Sequence, residues 1–62
     1  MTEHEMFNEI GAVAADFQDG MKTREQCLAM APVLAERFDQ HFDRIDIAAW
    51  IEEDLDRIAA AA

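Results

Sequence analysis

The chain contains no serine and no tyrosine, one cysteine, one proline and two glycines. Each scarcity removes a class of explanation. Without serine there is no serine nucleophile and no acyl-carrier type of attachment point. Cys27 has no partner for a disulfide within the chain. One cysteine and two well-separated histidines, His4 and His41, give no zinc-ligand set. No cofactor and no metal are therefore expected, and no catalytic constellation is visible. β-branched residues are few and never alternate with polar ones, so no strand is expected. No apolar run approaches the length of a membrane span. The first ten residues, MTEHEMFNEI, carry acids where a secretory signal needs bases. A free thiol without an export signal points to the cytoplasm.

Basic residues are also scarce. Five Lys and Arg face fourteen Asp and Glu, a net charge of −9 in 62 residues. That balance excludes direct binding to nucleic acid or to anionic lipid, both of which require cationic surfaces. It favours a basic partner through long-range attraction. The charge is segregated. Residues 1–19 hold Glu3, Glu5, Glu9, Asp16 and Asp19 and no base, whereas Lys22 and Arg24 face only Glu25 in the middle of the chain. Residues 36–62 carry Glu36, Asp39, Asp43, Asp46, Glu52, Glu53, Asp54 and Asp56 against Arg37, Arg44 and Arg57.

What is abundant is apolar residues at helical spacing, 52% of the chain by the wider count, much of it alanine. Met6, Ile10, Val13 and Phe17 form one stripe, preceded by a capping box at Thr2–Glu5 and closed by Gly20. Gly11 weakens the middle of that helix unless it serves a close helix contact. A second capping box, Thr23-Arg24-Glu25-Gln26, opens a stripe of Cys27, Ala31, Leu34, Phe38 and Phe42, with Ile45 at its end. Pro32 lies inside it and predicts either a kink or a short helix followed by a new one with Pro32 in its first turn. Ile47, Ile51, Leu55 and Ile58 make a third stripe, capped by Asp43 or Asp46. Ala59 to Ala62 are expected to fray. These features predict a single domain over residues 1–62: an all-α bundle of three main helical segments, the second kinked or broken at Pro32. A monomer is favoured.

Several side chains have an ordinary structural reading. Cys27 falls on an apolar stripe and reads as a small buried hydrophobe. Met6, Met21 and Met30 read as lining the interior. His41 borders the second apolar sector. Trp50 stands at the rim of the third stripe, or else anchors a partner. Asp39 and Asp43 share a helix face, but two carboxylates make a weak metal site and His41 points elsewhere.

The acidic faces are the remaining candidates. At about 100° per residue, Glu25, Glu36, Asp39 and Asp43 fall in one sector of the second helix, away from Arg37 and Arg44. Glu36 to Asp46 spans about 15 Å if helical. Its four carboxylates then lie about 4–5 Å apart, against about 3.4 Å per phosphate along a DNA strand. Glu52, Glu53 and Asp56 extend away from the third stripe, and Glu5, Glu9 and Asp16 share a sector of the first helix.

A short, strongly acidic helical chain that opens MTEHEMFNEI and carries these carboxylates resembles the small phage-encoded anti-CRISPR proteins. It is most similar to inhibitors of type I systems, type I-C among them. The resemblance covers the whole chain and rests on size and charge; there is no signature motif, so no residue role is carried over. It implies a phage or mobile-element protein acting inside a bacterial cell. It further implies a DNA mimic on the basic surface of a Cascade-type effector. The expected contacts are Glu36, Asp39, Asp43, Asp46, Glu52, Glu53 and Asp56, with Trp50 as the apolar element. The alternative is a helical adaptor or antitoxin-like protein that binds a partner or itself through an apolar face, its acids serving solubility.

Overall fold

A computed structural model describes residues 3–61. The chain is all-α: α1 spans Glu3–Gln18, α2 Arg24–Leu28, α3 Met30–Arg37 and α4 Arg44–Ala61. α2 and α3 are the two arms of one segment, bent by 23°. The break falls at Ala29, just before Pro32. A proline ring collides with the carbonyl four residues earlier, here that of Leu28, the last residue of α2. Pro32 thus sits in the first turn of α3, where helices tolerate it best. The Thr23 box forms as expected. Thr23 Oγ1 accepts from the Gln26 amide and Gln26 Oε1 accepts from the Thr23 amide. The box expected at Thr2–Glu5 involves Thr2, outside the described residues.

Helix ends follow from local chemistry. α1 closes in a Schellman motif: the Gly20 amide donates to Phe17 and the Met21 amide to Asp16, with Gly20 at φ 76°. α3 closes the same way without glycine. Asp39 donates to Glu36 and Gln40 to Ala35, and both residues have positive φ, 55° and 59°. This reversal ends the second segment at Arg37, five residues short of the stripe that Phe42 was expected to extend. Asp43 then caps α4: its Oδ1 accepts from the Ile45 amide and its carbonyl from the Ile47 amide. Of the alanine tail, Ala59 to Ala61 belong to α4, consistent with alanine's high helix propensity, and Ala62 lies outside the described residues.

α4 packs against all three other helices. Its Ile47, Ile51 and Leu55 are fully buried among Met6, Ile10, Val13 and Ala14 of α1 and Cys27, Ala31, Leu34, Ala35 and Phe38. Phe17, Phe42, Trp50 and Ile58 cover this core from its edges. The accessible surface of 4190 Å² is close to the about 4,000 Å² expected for a compact monomer of this mass. Two side chains depart from expectation. Met21 is 75% exposed, because it follows the turn that ends α1 and projects from it. Ile45 is 70% exposed, since it lies two residues before Ile47 and hence about 160° away around α4. Gly11 makes no close helix contact; a methyl group built there meets nothing within 4 Å.

The two glycines therefore respond oppositely to alanine. Gly11→Ala should stabilise the chain by about 0.8–1 kcal/mol, raising the thermal midpoint by about 4–8 °C in circular dichroism. Gly20→Ala should lower it by a similar amount, because a Cβ is disfavoured at that φ. A neutral Gly11→Ala would mean that α1 is not helical at its centre.

Candidate acidic site

The ion pairs decide which carboxylates remain available. Arg24 reaches from α2 to two successive turns of α4, with Nη2 3.0 Å from Glu52 Oε1 and Nη1 2.9 Å from Asp56 Oδ1. Hydrogen bonds to Asp56 and then Glu52 push the guanidinium further above its ordinary value, so it stays cationic. Arg37 joins α3 to α1 through Glu9 at 2.8 Å. Lys22 folds back on Asp16 at 3.0 Å, near the C-terminal end of α1, where a cation is favoured. Arg57 pairs with Asp54 one turn earlier on α4. All of these pairs are at least partly exposed, so each contributes little to stability. They do orient the helices relative to one another.

This arrangement corrects the acidic rows read from the sequence. Glu9, Glu52 and Asp56 are paired with bases from other helices and Asp16 with Lys22 beyond the end of α1, which spacing along one helix does not reveal; Asp54 pairs within α4, with Arg57. The sector of Glu25, Glu36, Asp39 and Asp43 does not exist as one helix face, since α3 ends at Arg37 and Asp39 lies in the reversal. The proposed row of about 15 Å is thus a corner. Glu36 stands on the last turn of α3, Asp39 in the turn, Asp43 at the cap of α4 and Asp46 in its first turn. All four are exposed, and none is ion-paired to a described residue. Glu53 is likewise exposed and unpaired among them. Arg44, inside the same corner, also forms no ion pair with a described residue.

Trp50 is half-buried at the rim of the core. Its ring lies 5.2 Å from Phe7 and 5.9 Å from Phe42. His41 meets the edge of Phe42 at 4.8 Å and is otherwise exposed. Phe7, Ile10, Trp50, Glu53, Asp54 and Arg57 line a shallow groove of ≈ 200 Å³ on this side. Phe7 sits one residue off the Met6 stripe, so helical spacing alone does not place it at this site; its adjacency to Met6 is the available signal. A second groove, ≈ 220 Å³, runs between α2–α3 and α4. Among the described residues no three His, Cys, Asp or Glu side chains gather to hold a metal, and no helix is long and apolar enough to cross a membrane.

Cys27 is fully buried, and its Sγ donates to the Val13 carbonyl at 3.7 Å. Burial pushes the thiol up from its ordinary 9.0, with Asp16 adding to the rise and Lys22 opposing it. The unfolded thiol therefore ionises first. The stabilisation is complete below pH 9.0 and is lost as pH rises through the folded value. Denaturant titrations should show stability falling above that pH by up to about 1.4 kcal/mol per unit. In Cys27→Ala this component should vanish; an unchanged alkaline slope would place its origin elsewhere.

No protein-family model matches the chain, and no curated protein or solved structure resembles it to a significant degree.

Proposed function

We propose that the protein is a non-enzymatic inhibitor whose α3–α4 corner occupies the basic, nucleic-acid-binding surface of another protein. One observation carries this reading. Glu36, Asp39, Asp43 and Asp46 are exposed around one chain reversal without ion partners among the described residues, while Lys22, Arg24, Arg37 and Arg57 are committed elsewhere. Anchored by two helix ends, the corner holds its charges with less ordering entropy to lose on binding than a mobile acidic tail. Glu53 adds to the negative surface. Glu52 and Asp56 are secondary, because Arg24 already holds them. Trp50, half covered by Phe7 and Phe42, is better placed as support than as an anchor.

The resemblance to type I anti-CRISPR proteins supplies the specific partner proposed, a DNA-binding surface of a Cascade-type effector in a bacterial host cell. Electrostatic attraction sets the encounter rate and orientation of such a complex, and it is screened by salt.

The test is competition for target DNA on a purified type I-C effector. The protein should displace DNA, and its apparent affinity should fall steeply as salt rises. Glu36→Lys with Asp46→Lys is the informative variant. It spares the Asp43 cap and the Asp39 turn, and it moves the net charge from −9 to −5, each reversal adding 2. Removing an acid from the end of α3 should offset losing one from the start of α4, so the fold should persist. Affinity should drop by about tenfold or more. Undiminished DNA binding by the effector at saturating protein would reject this partner, and full potency of the variant would remove the corner from the site.

A further inference from the structure

We infer that the groove between α2–α3 and α4 receives an apolar side chain of a partner whose surrounding surface is rich in lysine and arginine. Leu28, Ala31 and Pro32 form one wall, Ile45 and Ala48 the other, and Arg44 stands at the rim. Ile45 is 70% exposed although a large aliphatic side chain gains free energy from burial. Arg24 and Glu52, paired with each other, each lie one helical turn along from a lining residue, Leu28 and Ala48. It is an apolar-walled recess on the surface, with Arg44 its one charged lining residue.

Charge complementarity identifies the occupant. Glu25 lies three residues before Leu28, Glu36 four after Pro32 and Asp46 beside Ile45, and none is ion-paired to a described residue. Arg44 repels a base at one point of the rim and directs the partner's bases toward Glu25 and Glu36. A second copy, itself at −9, would bring like charge against this rim. The inference rests on the acidic-surface reading above and adds what charge alone lacks, an apolar key for specificity.

The test uses two helical peptides of equal length and lysine content, one with leucine and one with glutamine at the same positions. Binding is measured by calorimetry, with amide shifts mapped by NMR. The leucine peptide should bind about tenfold tighter, as expected for burying part of one aliphatic side chain. Its shifts should centre on Leu28, Ala31, Ile45 and Ala48, and Ile45→Gln should erase the difference. Ile45 is exposed, so circular dichroism should show the variant folded. Equal, salt-sensitive binding of both peptides overturns the groove and leaves the acidic reading standing. Equal binding of a leucine peptide without lysine overturns the basic partner for this groove and leaves the corner to the competition test above. A dimer in sedimentation equilibrium that Ile45→Gln dissociates overturns the inference in favour of a second copy.

Discussion

Burial of one face of α4 is the constraint from which the rest of the molecule follows. Ile47, Ile51 and Leu55 are each removed from water by α1 on one side and α2–α3 on the other. A buried aliphatic side chain of this kind contributes about 1.5–3 kcal/mol. A chain of this length has a net stability of only about 3–9 kcal/mol. Loss of any one of the three therefore removes a large part of what holds the fold. Cys27, Ala31 and Ala35 let the bent segment approach because they are small, and the break before Pro32 lets both of its arms face α4.

With the core confined to that seam, charge is relegated to the helix flanks and ends. Bases are too few to match the acids, and two of the five are spent where two elements meet: Arg24 between α2 and α4, Arg37 between α3 and α1. The excess is left at the α3–α4 corner and on the outer side of α4. Glu36 and Asp39 lie near the negative end of α3, a placement that local helix electrostatics disfavours, whereas Asp43 and Asp46 suit the start of α4. The corner is therefore held by backbone capping and by Phe38 beneath it rather than by attraction among its own charges. A surface that repels itself and is fixed by apolar packing is suited to meeting a basic surface.

Much of this was legible in the sequence. The first and third apolar stripes, the break in the second segment, the Thr23 capping box and the burial of Cys27 all follow from spacing and residue type, and the choice of Asp43 over Asp46 as the α4 cap does not. The α3 terminus was not legible, because Asp39 and Gln40 adopt a left-handed backbone that glycine usually signals. Reading the helix through to Phe42 then placed Asp39 and Asp43 on one face and Ile45 on the wrong stripe. The cross-helix pairs were hidden for another reason: they depend on which flanks the bundle brings together, and one-helix projections contain no such information. Ile45 could have been placed, since its phase opposes that of Ile47, Ile51 and Leu55.

The central claim is that apolar packing holds the fold against a net electrostatic repulsion, leaving the carboxylate excess available. Thermal unfolding of the unmodified protein between about 0.01 M and 0.3 M NaCl tests it most directly, because that range shortens the screening length from about 30 Å to well under 10 Å. The account predicts a midpoint that rises by several degrees as salt screens the repulsion. A midpoint that falls would mean that the ion pairs of Arg24, Arg37, Lys22 and Arg57 dominate, and would contradict it.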